Sequence, residues 1–277
     1  MSPLKIGVLH PGEMGAGIGG ALVAGGHEVL WASEGRSEST KERAEAAGLR
    51  DLDGIGAVAA EADVIFSVCP PHAAVDVARQ VAGFTGLYLD ANAIAPATAA
   101  EVAYVIESAG GRYLDGGIVG APPRPGRPAR IYLSGADASD LALSLEGSNL
   151  ECRVLSSRPG DASALKVVYA AWTKGTTALL LAIRGLARNL GVEEALLAEW
   201  ADSQPELAAR SLAAGNQAAT KGWRWVGEME EIAKAFLATG LPGGFHEAAA
   251  EIYERAPRDE AAAADETTLD AVLGSLS

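Results

Sequence analysis

Lys166 is the residue of this chain best suited to moving a proton. It stands in Gly160-Asp161-Ala162-Ser163-Ala164-Leu165-Lys166-Val167-Val168-Tyr169-Ala170-Ala171-Trp172-Thr173, where its neighbours are almost all apolar. A lysine stripped of water has a lowered pKa and exchanges protons near neutrality. The alternative is a lysine whose stem lies on the core while its ammonium reaches solvent, and the helix alone leaves both readings open. On a helix, Tyr169, Ala170 and Thr173 fall three, four and seven places after Lys166, on the same stripe.

The second chemical segment lies near the N-terminus. An apolar run from Leu4 to Leu9 leads into His10-Pro11-Gly12-Glu13-Met14-Gly15, a helical stretch to residue 24, and a second strand from His27 to Ala32. Strand, glycine turn and helix in that order offer free N–H groups and a positive dipole to a pyrophosphate. Glycine alone is a weak signal at 33 glycines in the chain; the strand–turn–helix context strengthens it. Gly12 and Gly15 take the second and third places of Gly-x-Gly-x-x-Gly, but His10 takes the first. Pro11 fixes the turn by locking φ, Gly12 allows close backbone approach and Gly15 close helix packing.

At the end of the second strand, an acidic residue on the ribose marks NAD, whereas cations and hydroxyls suit the 2′-phosphate of NADP. Ser33, Arg36 and Ser37 favour NADP, with Lys41 a turn further on; Glu34 is the feature that speaks for NAD.

These residues need a scaffold. The 277 residues suffice for two domains. Up to about residue 155, β-type runs alternate with Ala-rich helical stretches (63–68, 86–90, 112–115, 130–134 and 151–155), which predicts a mostly parallel sheet covered by helices. After Gly160 only helices are expected, near 161–190, 193–202, 205–217, 226–239, 244–255 and 267–275, with 256–266 a solvated helix or linker. The expected fold class is α/β: a Rossmann-type doubly wound sheet over 1–158, then an all-helical substrate and dimerisation domain over 159–277. Its first, long helix is expected to wall a cleft between the domains.

A net charge of −14 and a pI near 4.7 argue against nucleic acid or an anionic membrane and for a small-molecule substrate. Two isolated cysteines, Cys69 and Cys152, suggest no disulfide scaffold. The absence of a targeting segment before Leu4, and Lys174 interrupting the longest apolar stretch, Val167 to Ile183, point to a cytoplasmic protein. Four histidines without paired ligand spacing predict no metal site.

The chain resembles the β-hydroxyacid dehydrogenase and 6-phosphogluconate dehydrogenase-like superfamily, in which imine reductases are also found. The resemblance runs over nearly the full length. It rests on His10-Pro11-Gly12-Glu13-Met14-Gly15, on Ser67-Val68-Cys69-Pro70-Pro71, on Asp90-Ala91-Asn92-Ala93-Ile94-Ala95-Pro96, and on Gly160, Ala162 and Lys166 as a Gly-x-Gly-x-x-x-Lys helix start. Trp223 to Glu231 and the Val167 to Thr177 pattern look like a less characterised branch. The resemblance implies that Lys166 is the general acid/base, that Cys69 and Pro70 border the cofactor, and that the nicotinamide lies between Asn92, Met14 and the Lys166 helix. Hydride transfer to or from an alcohol carbon follows, with Tyr169 and Thr173 orienting the substrate oxygen. A homodimer through the helical domain is expected by the same analogy.

Two departures bear on substrate. The family's carboxylate-binding motif appears as Asp115-Gly116-Gly117-Ile118-Val119-Gly120-Ala121, so Val119 replaces its serine and Gly120 follows; the usual asparagine four places after the lysine is Ala170. A carboxylate would then meet Arg124, Arg127 or Arg130, or be absent. His246 either reaches an active site from a partner subunit or caps a helix. The alternatives are an imine reductase, against which the retained lysine weighs, and a nucleotide-binding protein without catalysis.

Overall fold

The computed structural model describes residues 3–276. Its strands are β1 (Lys5–Leu9), β2 (Glu28–Trp31), β3 (Arg50–Asp51), β4 (Val64–Ser67), β5 (Leu87–Asp90), β6 (Arg112–Val119), β7 (Ala129–Ser134) and β8 (Leu150–Ser156). They form one sheet in the order β3-β2-β1-β4-β5-β6-β7-β8. Every neighbouring pair is parallel except β6 and β7. The central strands β4 and β5 are buried along their whole length, as strands covered on both faces must be. Register aligns Phe66, Leu89 and Leu114 on one face and Ile65, Tyr88 and Tyr113 on the other, and each row belongs to a separate apolar layer.

The covering helices are α1 (Glu13–Ala24), α2 (Glu38–Ala46), α3 (Ile55–Glu61), α4 (Ala74–Gln80), α5 (Pro96–Ser108) and α6 (Ala138–Ser144). Strand order reverses between β1 and β4, so the carboxyl ends of these strands open the crevice where such sheets bind ligands. This is a Rossmann-type doubly wound domain followed by a helical region.

That region comprises α7 (Asp161–Asn189), α8 (Glu193–Ser203), α9 (Leu207–Lys221), α10 (Val226–Ala238), α11 (Gly244–Arg255) and α12 (Glu266–Ser275). The chain divides into two compact units within α7, after Lys166. The second unit packs Leu181, Ala218, Met229, Tyr253 and Leu269 into its own core. Arg184 is buried there at 2% exposure, with its guanidinium held by Glu193 at 2.8 Å and Ser211 at 2.6 Å. A buried charge persists only when paired in this way. Among the described residues no helix is long and apolar enough to cross a membrane.

Two local expectations need correction. Arg50–Asp51 form an edge strand too short and too polar to leave a periodic signal. The strand read as 112–115 continues to Val119, because β7 returns antiparallel and pairs Asp115 with Ser134 through Val119 with Arg130.

Candidate active site

The turn after β1 keeps the shape of the glycine fingerprint without its first glycine. His10 adopts φ +65°, a left-handed conformation that histidine tolerates better than branched residues. The Gly12 N–H donates to the His10 carbonyl at 2.7 Å, closing a three-residue turn about Pro11. A Cβ on Gly15 would lie 2.6 Å from the His10 carbonyl oxygen, so only glycine lets α1 start this close to β1. A Cβ on Gly12 would meet nothing within 4 Å, leaving open space in front of the helix N-terminus. The sequence missed the signal at His10 because glycine is only the commonest residue in that conformation.

Around this turn, buried polar atoms lack partners. His10 Nδ1 and Arg36 Nε have no hydrogen-bond partner among the described residues. Burial, then the Arg36 charge, pushes the His10 imidazole down to about 4, so it is neutral at neutral pH. Burial also lowers Arg36, whose charge acts on Cys69 as well. The guanidinium is thus near both His10, after β1, and Cys69, after β4. Ser33 N–H donates to Asp51 Oδ1 at 3.1 Å, and the Ser37 hydroxyl is shared with Ser39 and Thr40. The Glu34 carboxylate oxygen lies 3.6 Å from where a Gly54 Cβ would be, turned toward the start of α3, and Lys41 pairs with Glu38 at 2.8 Å.

Asn92 ties together the ends of β4 and β5. Its Oδ1 accepts from Cys69 N–H at 2.6 Å and its Nδ2 donates to Ser67 Oγ at 3.0 Å. Its own N–H donates to Asp90 Oδ1 at 2.9 Å. The loop carrying Cys69 and Pro70 is thereby fixed beside the crevice. Burial pushes the Cys69 thiol up to about 12, making it an inert neutral wall. Asp90 is raised to about 7, chiefly by burial and further by the Asp115 charge.

Lys166 is positioned by a carboxylate that sequence reasoning placed only in a substrate motif. Asp115 Oδ2 accepts from the N–H groups of Gly160 (3.0 Å), Ala162 (2.8 Å) and Ser163 (3.0 Å) and from Ser134 Oγ (2.7 Å). Its Oδ1 accepts from Ser163 Oγ. The side chain thus neutralises the N-terminus of α7. Ser163, in the first turn of α7, finds its partner 48 residues away. Against β6, a Cβ on Gly117 would meet the Ala162 carbonyl oxygen at 2.8 Å and Lys166 Cβ at 3.2 Å. Gly117 therefore admits α7 to the sheet and puts the base of Lys166, itself half-buried, over that strand.

His10, Pro11, Gly12, Glu13, Met14 and Gly15 stand at the crevice with Arg36, Cys69, Pro70 and Asn92, while Lys166 lies over β6 with Val119 and Gly120 beyond it. Val119 is buried at 3% exposure inside β6, and Gly120 turns the chain at φ +118°. Tyr169 and Thr173 belong to the second unit; Tyr169 is 44% exposed and Thr173 Oγ1 donates to its carbonyl at 3.1 Å. His246 is buried between Phe236 and Phe245. Among the described residues no group of three or more His, Cys, Asp or Glu is placed to hold a metal ion.

A sheet of this order, with a glycine-cradled helix N-terminus at its switch point, has the architecture of a dinucleotide-binding unit. Residues 5–88 match the family described as NADP oxidoreductase, coenzyme F420-dependent, and residues 187–256 match a domain of unknown function, DUF1932. An uncharacterised 28.5 kDa protein of Methanothermus fervidus is 30% identical over 171 residues, 61% of this chain and 66% of that relative. Among solved structures, a conserved protein of unknown function described as similar to 3-hydroxyacid dehydrogenases is 29% identical, covering 98% of this chain and 99% of that one at a TM-score of 0.68. The fold is shared with Mycobacterium tuberculosis 3-hydroxyisobutyrate dehydrogenase (21% identity, 99% of both chains, TM-score 0.70). It is shared too with an Aspergillus terreus reductive aminase solved with NADPH, cyclohexanone and allyl amine (21% identity, 92% of this chain, 94% of that chain, TM-score 0.56). In its fold and in its N-terminal segment the chain is similar to the β-hydroxyacid dehydrogenase-like superfamily.

Proposed function

We propose that the protein is an NADP-dependent oxidoreductase acting on a small hydroxy or carbonyl compound, with Lys166 as general acid/base. The observation that carries this reading is the fixing of Lys166 over β6 by the Asp115 cap and the Gly117 contact, on the same sheet whose carboxyl ends form the nucleotide crevice. Open space before Gly12 and the unpartnered His10 Nδ1 and Arg36 Nε fit a polar, anionic nucleotide. The bound nicotinamide supplies the hydride for reduction and takes it in oxidation. Lys166 Nζ takes the hydroxyl proton on oxidation and returns it to the oxygen on reduction. Tyr169, three places on along α7, orients that oxygen; Thr173 adds its lone pairs, since its proton is committed to the Tyr169 carbonyl.

Arg36, Ser33 and Ser37 support NADP over NAD, because a guanidinium offers paired N–H donors to a 2′-phosphate. The turn of Glu34 toward Gly54 and the NADP description of the family matched over 5–88 support the same choice. We further propose that residues 159–277 form the substrate and dimerisation domain, that two copies associate along α7, and that the protein works in the cytoplasm.

The test is a panel of hydroxy acids, aldehydes, ketones and cyclic imines followed by NADPH absorbance. Lys166→Ala is expected to keep nucleotide affinity and lose about 100-fold or more in turnover. Unchanged turnover in that variant refutes the assigned role; turnover of imines alone moves the protein to the reductive amination chemistry of its structural neighbour.

A further inference from the structure

Beyond β6 the chain makes an arginine hairpin. Arg124 and Arg127 exchange main-chain hydrogen bonds, Arg124 N–H to Arg127 O at 3.0 Å and Arg127 N–H to Arg124 O at 2.8 Å. Pro125 and Gly126, the latter at φ +76°, occupy the two central positions, the residues a type II turn asks for. Asn149 Nδ2 donates to the Arg124 carbonyl at 2.6 Å. On the other side Pro122 and Pro123 lie against Gly17 of α1, where a Cβ would meet each at 3.1 Å. The hairpin is therefore held at both ends, and its guanidiniums are carried on a defined turn.

Arg124, Arg127 and Arg130 line one cavity of about 360 Å³ together with Val119, Gly120 and Pro122. Among the described residues none of the three arginines has an ion pair or a side-chain hydrogen bond. In a chain of net charge −14, three unpaired guanidiniums around one cavity are a concentration of positive charge that the protein's own carboxylates leave unanswered. A larger cavity, about 450 Å³ between α6 and β8, holds two glutamates and no cation.

Two of the residues lining the cavity lie on the sheet face against which Lys166 packs. Arg130 pairs with Val119 across the antiparallel ladder, so the two side chains share a face of the sheet. Gly117, two places before Val119 on β6, presents that same face, and it is there that Lys166 packs. Two residues along a strand span about 7 Å, the length of a three- or four-carbon chain.

We infer that this cavity is the subsite for a dianionic oxyanion, of which a phosphoryl group is the best match, carried by the substrate at one end while the carbon that reacts lies toward Lys166. Three guanidiniums exceed what one carboxylate neutralises, and arginine forks match the paired oxygens of a phosphoryl group. Val119, in the place of a carboxylate-binding serine, is then a packing residue beside the arginines. The link to the reactive carbon rests on the proposed dehydrogenase reading; the anion site does not.

The experiment is calorimetric titration of the full chain with inorganic phosphate and, separately, acetate, each with and without saturating NADPH. Phosphate is expected to bind more tightly than acetate, to persist when NADPH is bound, and to weaken about tenfold for each guanidinium removed in Arg127→Ala and in Arg124→Ala/Arg127→Ala. Both positions are exposed turn residues, so the variants keep the fold, and NADPH affinity should be unchanged in them. Phosphate binding that is absent, no tighter than acetate, or equal in the variants overturns the inference. So does loss of phosphate binding on adding NADPH, or a parallel fall in NADPH affinity, since the arginines would then serve the nucleotide. Failure of the wild type to bind NADPH at all strikes the dehydrogenase reading, and the phosphate titration still decides the anion site.

Discussion

His10 and Asp90 show how single residues carry the crevice. His10 accepts a left-handed backbone so that Gly12 and Gly15 can keep their places, and it stays neutral under the Arg36 charge. Asp90 carries the opposite tension: it is fully buried, its Oδ2 has no partner among the described residues, and its pKa stands near 7 against an ordinary 3.8. Between those two values the folded chain holds a proton that the unfolded chain has released, so stability falls as pH rises through the window and the loss is complete above about 7. Asp90→Asn cannot ionise. Its denaturation midpoint relative to wild type is expected to rise from acid pH to pH 8, measured by urea unfolding; a constant difference would mean Asp90 is already ionised throughout.

At the scale of elements, α7 is fixed by what β6 offers it. Asp115 receives three backbone N–H groups and two hydroxyls, all near the first turn of the helix. Asp115→Ala leaves the Gly160 and Ser163 N–H groups without this acceptor, Ala162 N–H keeping only Ser134 Oγ, and is expected to cost about 2–3 kcal/mol, read from chemical denaturation. Asp115→Asn keeps an acceptor oxygen and should cost less. In Asp115→Asn turnover should drop more than NADPH affinity, because the helix that carries Lys166 shifts while the β1–α1 turn does not. An Asp115→Ala variant as stable as wild type would show that the helix is held by packing alone.

For the whole molecule, the exposed side of α7 supports association. Val168 and Trp172 are each 67% exposed, Leu179 is 41% and Leu186 is 59%, spaced four, seven and seven residues apart. That spacing makes an apolar seam along a helix, which in water is covered by another helix. Light scattering of the purified chain is expected to give twice the 28.3 kDa chain mass, and Trp172→Glu to give a monomer. A wild-type monomer at micromolar concentration removes the dimer from the proposal.

The fold was largely legible because hydrophobic period and glycine placement are local. Runs such as Val64–Ser67 and Leu87–Asp90 are apolar because both faces are covered, and Gly12 and Gly15 sit where a helix must begin close to a strand. The short, polar β3 carried no such period, and the continuation of β6 to Val119 depended on β7 returning beside it. For the candidate residues, the sequence named the side chains but not the contacts that hold them.

By itself the sequence picked out residues whose types suit chemistry: Lys166 in an apolar helix start, the turn from His10 to Gly15, and arginines at 124, 127 and 130. Only the tertiary structure decided that Asp115 would hold the Lys166 helix, that Asn92 would fasten the Cys69 loop, and that Arg130 would share a sheet face with Gly117. The reason is physical. Helix and strand periods follow from each residue's own backbone and near neighbours, whereas a buried carboxylate finds its donors only after register has brought distant segments together.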